Sequence, residues 1–224
     1  MPRVSEEHRE RRRQQILDAA QRCFVRKGFH KTSLQEIFRE SGLSAGAVYG
    51  YFRSKDDLIR AIAARSEPQV SAILEEILDT GELPPLDEIV ARFAAGVIER
   101  MGSGGGILIA PQGWALATYN PAVHEAMARI FSNTRSWWTR VAERLQDDGR
   151  LAPDADPHAV GAVLTSIITG FIVQRLLLGD VDAETLREGM RTLLSSDLGS
   201  SEAVGVGNEL DRALALPVRS LDAG

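Results

Sequence analysis

Apolar positions between residues 12 and 62 recur in short helical groups separated by turn signals. Ile16, Leu17, Ala19, Ala20, Cys23 and Phe24 share one face of a first helix predicted over about 10–27. Leu34, Ile37 and Phe38 form a second face. It follows Thr32 and Ser33, either of which can open a capping box, with Gln35 or Glu36 three residues on. Gly42 stops that helix, because glycine takes the left-handed conformation at little cost. Leu43 fills the turn, and Ser44 is a good N-cap for a helix running from Ala45 to about Tyr51. Val48 and Phe52 of that segment point inward. Ala45, Gly46 and Ala47 leave its first turn almost without side chains, so its backbone can approach something large and flat. Ser54 and Asp57 make another capping box, which opens a fourth helix at Lys55.

Beyond it the pattern stays helical. Pro68 is expected to end, kink or restart the fourth helix. Apolar spacing resumes from Val70 to Leu78, a break falls at 81–85, and a helix over 86–101 turns Ile89, Val90, Phe93, Ala94 and Val97 inward. Residues 102–106 read Gly-Ser-Gly-Gly-Gly and predict a flexible loop. They lack the Gly-Lys-Ser/Thr ending of a phosphate cradle. Further helices are predicted over 107–118 (disturbed by Pro111), 120–148 (closed by Gly149), 157–178 and 182–194. Residues 197–224 turn Gly- and Ser-rich and read as a flexible tail. The expected fold class is all-α. A basic arm at 1–10 precedes a three-helix helix-turn-helix domain at 11–56, then a helical effector-binding and dimerisation domain at 57–196 and the tail.

Charge sharpens this division. Residues 1–65 hold fourteen Lys and Arg against eight Asp and Glu, whereas the remainder holds twelve against twenty-three. A basic head on an acidic body is oriented by a phosphate field, and two short helices with a tight turn lay the second in the major groove of DNA. Arg9, Arg11, Arg12 and Arg13 cluster where the arm meets the first helix, and can reach phosphates or simply begin a solvated helix. Cys23 is the lone cysteine, so no intrachain disulfide is possible, and it reads as core packing. The four histidines lack ligand spacing, so no metal and no cofactor are expected. The first residues lack the apolar run of a signal peptide, and a cytoplasmic location is expected.

With these residues in place, 12–60 resembles the DNA-binding domain of the TetR family of transcriptional regulators. The resemblance rests on Ile16-Leu17-Asp18-Ala19-Ala20, Phe24, Gly28-Phe29, Thr32-Ser33, Ile37, Gly42-Leu43-Ser44-Ala45-Gly46, Val48-Tyr49-Gly50-Tyr51-Phe52 and Ser54-Lys55-Asp56-Asp57-Leu58. Phe38, Gly50 and Tyr51 depart from the usual pattern. The resemblance implies a regulator, usually a repressor, that binds a palindromic operator in double-stranded DNA as a homodimer and is released by a small-molecule effector. It also implies that Ser44, Ala45, Gly46 and Tyr49 present the recognition helix, with Thr32, Ser33, Tyr51 and Lys55 on phosphates.

The helix after Pro157 carries no charge from Ala159 to Gln174 and is apolar all round. That run of sixteen is shorter than the ~20 residues of a membrane span and carries several hydroxyls, so no membrane is expected. Gly161, Ala162, Thr165 and Thr169 are small enough for close helix contact and are read as a dimer seam. The last two helices usually form that seam in the family. A cavity for a hydrophobic or amphipathic effector is expected among Phe93, Trp114, His124, Phe131, Trp137, Thr169 and Gln174. Two other readings are possible. Gly42-Leu43-Ser44-Ala45-Gly46 matches the G-x-S-x-G elbow of serine hydrolases, but residues 36–40 before it are helical in period and charged. A helical adaptor without DNA binding would not need the capping serine and bare first turn. No catalytic residue is assigned.

Overall fold

The computed structural model describes residues 6–102 and 104–195, and all regular structure among them is helical. The helices are α1 (Glu6–Lys31), α2 (Leu34–Ser41), α3 (Ala45–Tyr49), α4 (Lys55–Leu78), α5 (Leu86–Gly102), α6 (Gly106–Ala117), α7 (Pro121–Asp147), α8 (Pro157–Leu177) and α9 (Ala183–Ser195). The expected tail lies outside the described residues, as do positions 1–5 of the expected arm. Positions 6–10 of that arm are not an extension but the first turns of α1.

Local chemistry sets most boundaries. Ser33 and Glu36 form a reciprocal capping box at α2, and Ser54 and Asp57 do the same at α4. Gly42 ends α2 at φ 67°, and Pro121 and Pro157 each sit in a first helical turn where a missing N–H costs nothing. Gly28, at φ 76°, breaks α1 and turns its last residues aside. Pro68 neither ends nor restarts α4, which runs through it to Leu78. The cost is one missing backbone bond within the helix, because proline has no N–H to donate four residues back.

Two cores result. In the head, Ile16, Leu17, Phe24, Ile37, Val48 and Phe52 pack on Leu58, Ile59 and Ile62 of α4. That core therefore runs past the expected boundary at 56, and it also takes in Ile109 of α6 and Val123 of α7. The body core gathers Leu74, Ile89, Phe93, Trp138, Leu145, Leu164 and Phe171. Phe93 and Trp138 meet edge to face at 5.1 Å. Full burial of each such side chain is worth roughly 1.5–3 kcal/mol. α8 is the one described helix with the length and hydropathy to cross a bilayer; it lies along α7 with Gly161, Leu164, Ile168, Phe171 and Ile172 buried.

Candidate DNA-reading surface and effector cavity

α2 is fastened to α1 from one side, which leaves its other side and the exposed face of α3 free. Glu40 accepts from Arg26 at 2.7 Å and from Arg22 at 2.8 Å, while Glu36 pairs with Lys27. The two guanidiniums hold the Glu40 carboxyl down at about 2. The Lys27 ammonium, together with the Ser33 backbone N–H, does the same for Glu36, also at about 2. Gln15 adds a bond to the Ser41 carbonyl at 2.7 Å. Burial raises the Cys23 thiol above its ordinary value, and the side chain sits in this core, as expected of a packing residue.

On the free side, Ser44 caps α3 by accepting from the Ala47 N–H at 3.3 Å. Ala45, Gly46 and Ala47 are exposed, and a Cβ added at Gly46 would meet nothing within 4 Å. Tyr49 is 50% exposed and packs edge to face on Phe38 at 5.4 Å. Tyr51 is half-buried against the head core. Ser33 is exposed at the start of α2. No strand leads into Ser44 among the described residues, so the arrangement is a helix cap and not a hydrolase elbow.

Two of the expected phosphate contacts sit differently. Thr32 is buried, and its hydroxyl donates to the Gly28 carbonyl at 2.8 Å and the Cys23 carbonyl at 3.2 Å. Its side chain closes the end of α1 and does not face outward. Lys55 directs its ammonium to the Phe29 carbonyl at 2.6 Å and the Thr32 carbonyl at 3.4 Å, neutralising the negative end of α1. By contrast Lys31, Arg39 and Arg53 are exposed and form no ion pair among the described residues.

A cavity of about 130 Å³ lies where head and body meet. Phe29 at the end of α1 and Ile59, Ile62 and Ser66 of α4 form its head side, and α5, α6, α7 and α8 supply the rest. Phe93, Trp114, Phe131 and Thr169 line it, with Trp114 and Phe131 in edge-to-face contact at 5.8 Å. Three expected residues are elsewhere. His124 is exposed, its ring Nδ1 3.2 Å from the Ala117 carbonyl. Trp137 lies under the Arg140 guanidinium, 4.3 Å from the ring centre. Gln174 is exposed near the end of α8. The two tryptophans at 137 and 138 do face differently, since Trp138 is wholly buried in the body core, where its Nε1 has no hydrogen-bond partner.

The proposed seam is also redistributed. Gly161 is buried against α7, where an added Cβ would stand 2.6 Å from Thr139 Oγ1. Thr165 and Thr169 face the cavity, and Ala162 is half-buried. The exposed stripe of α8 is instead Ala159, Val163, Ser166 and Leu177, with Gly170 beside it unobstructed.

α6 lines the cavity and also bonds to the head. Gln112 accepts the Phe29 N–H at 2.9 Å, just beyond the Gly28 break. Asn120, after α6, donates to Asp56 at 2.8 Å, and the Tyr119 hydroxyl lies 3.4 Å from His30 Nε2. Before α6, the Gly104 carbonyl accepts from Gln21 at 2.5 Å. Gly104 and Gly105 therefore lie against α1, not in the free loop expected.

Known proteins share this layout. The family described as "Bacterial regulatory proteins, tetR family" matches residues 16–62, and that described as "BetI-type transcriptional repressor, C-terminal" matches 112–199. The HTH-type transcriptional repressor Rv1474c of Mycobacterium tuberculosis is 41% identical over 73 residues, 33% of this chain and 39% of that protein. The match therefore spans about two fifths of that relative's length. The HTH-type transcriptional regulator UidR of Escherichia coli K12 is 26% identical over 199 residues, 84% of this chain and 94% of its own. The solved structure of the transcriptional regulator FadR from Bacillus subtilis, in complex with stearoyl-CoA, has the same fold: TM-score 0.68 at 16% identity, over 84% of this chain and 100% of that one. Matched in both head and body, the chain belongs to the TetR family of bacterial regulatory proteins.

Proposed function

We propose that the protein is a DNA-binding transcriptional repressor, which binds a palindromic operator as a homodimer and is released when a small, largely apolar effector fills the cavity. The observation that carries this reading is the bare first turn of α3. Ala45, Gly46 and Ala47 are exposed at the tip of a head whose opposite side is locked to α1. A helix end without side chains can seat its backbone against base edges, with Tyr49 beside it. Ser33, Tyr51, Arg39 and Arg53 then serve phosphates, and Lys55 orders the α1 end that holds α2. Two-fold symmetry follows from the size of one head, which reads too few base pairs for specificity alone. Val163, Ser166 and Gly170 are the seam in this reading, since their side of α8 is open.

Release needs the effector to favour a conformation whose heads no longer fit the operator. A 100-fold release corresponds to about 2.8 kcal/mol of coupling, and operator DNA must then weaken effector binding by the same factor. The test begins with selection of DNA from a random pool by the full chain. A palindromic consensus is expected, with binding abolished by Gly46→Leu at an unchanged melting temperature. Selection that yields no enriched sequence, or a Gly46→Leu protein of normal affinity, would overturn the reading.

A further inference from the structure

The cavity wall carries chemical information about its occupant, and the inference rests on the cavity being the effector site. No ionisable side chain lines it. Its polar side chains are Ser66, Thr134, Thr165 and Thr169, with the indole of Trp114. Three of the four hydroxyl protons are already committed within their own helices. Ser66 donates to the Ile62 carbonyl at 3.1 Å, Thr165 to Gly161 at 2.8 Å and Thr169 to Thr165 at 2.8 Å. Their oxygens keep lone pairs and so act as acceptors. Thr134 has no partner among the described residues, nor does the Trp114 N–H, so these two can donate.

Each class of ligand meets this wall differently. A carboxylate or an ammonium would lose its hydration against apolar residues with no counter-charge, a cost that grows steeply in such surroundings. A pure hydrocarbon would leave the threonine oxygens without a donor. A ketone or ether could accept from Thr134 or Trp114 but could give nothing to Thr165 and Thr169. A hydroxyl both gives and accepts.

We infer that the effector is an electrically neutral, mostly apolar molecule bearing an alcohol or phenol hydroxyl that donates to the Thr165–Thr169 face of α8. The aromatic pair Trp114 and Phe131 and the aliphatic wall of Ile59, Ile62, Ile109 and Ile168 hold its apolar body.

Four probes of one shape test this by calorimetric titration of the full chain at pH 7: 4-pentylphenol, its methyl ether, 4-pentylbenzoate and 4-pentylbenzylammonium. The phenol is expected to bind tightest. The ether should be roughly threefold to tenfold weaker, for the loss of one donated hydrogen bond. Both ions should be weaker by about 100-fold or more. In the doubly substituted Thr165→Val, Thr169→Val protein, phenol and ether should converge, since the swap conserves shape and removes the acceptors. Ala110→Phe, which fills the cavity from α6, should abolish binding of the phenol. Equal affinity of phenol and ether for the natural chain, or a benzoate that matches the phenol, overturns the inference and leaves the cavity as the effector site. Failure of all four to bind, or phenol binding untouched by Ala110→Phe, overturns the effector-site reading and the inference with it.

Discussion

One methyl group added at Gly161 would bring a carbon to 2.6 Å from Thr139 Oγ1 and 3.0 Å from the Thr139 nitrogen. Since backbone cannot give way as a side-chain tip can, Gly161→Ala is expected to destabilise the fold by about 1–3 kcal/mol, read as a lower midpoint in urea. An unchanged midpoint would mean that α7 and α8 sit further apart than described. Lys55 calls for a similar distinction. Its ammonium serves two carbonyls at the end of α1, so Lys55→Ala should lower stability by about 1–2 kcal/mol even without DNA. Arg39→Ala and Arg53→Ala should leave the melting temperature alone and reduce the salt slope of operator binding by about one unit each. If Lys55→Ala melts normally and alone changes the salt slope, its role is the phosphate contact that the sequence first suggests.

Among the elements, α2 is held to α1 by contacts that depend on pH. Glu36 and Glu40 carry carboxyls lowered from an ordinary 4.5 to about 2. Depressed values mean that the charged forms stabilise the fold. Their contribution is complete above pH 4.5 and is lost as the pH falls towards 2. Thermal melts should therefore be level above that range and decline through it. Glu40→Gln should begin lower at neutral pH and decline less. A variant that follows the natural curve throughout would remove this tether from the account. The caps and breaks of α2, α3 and α4 were legible in the sequence because each is local: a serine, an acidic residue three positions on, a glycine at the end. The cavity was legible only in part. Phe93, Trp114 and Phe131 were identifiable as large apolar groups, but His124, Trp137 and Gln174 take their directions from how α7 and α8 are rotated, which is settled by packing. α8 is apolar on every side, so nothing in its pattern separates the face against α7, the face towards the cavity and the face left open. Thr165 was thus read only as seam, and Thr169 as both seam and cavity, when both line the cavity.

For the molecule as a whole, the open stripe on α8 is the seam of the proposed dimer. Val163 is 57% exposed there, and Leu193 and Leu194 of α9 are exposed as well. Val163→Glu is expected to yield monomers by light scattering while keeping the helical signal and the melting of the single chain. It should also cost most of the operator affinity, because one head then binds without its partner. A dimer that survives this change would move the seam off α8.

The glycine run before α6 bears on how the protein could be rebuilt as a sensor. A Cβ at Gly105 would stand 2.7 Å from Val25, and one at Gly104 would stand 2.9 Å from Gln21. Gly105, at φ 70° and against Val25, takes no graft without strain, despite a composition that invites one. The turn at Gly149, between α7 and α8, has nothing within 4 Å of an added side chain. A fluorescent reporter inserted after Gly149, with the glycine kept for its φ of 70°, would leave the machinery intact. The same splice at 105 would press on Val25, pry α1 from the body and leave the regulator deaf to its effector.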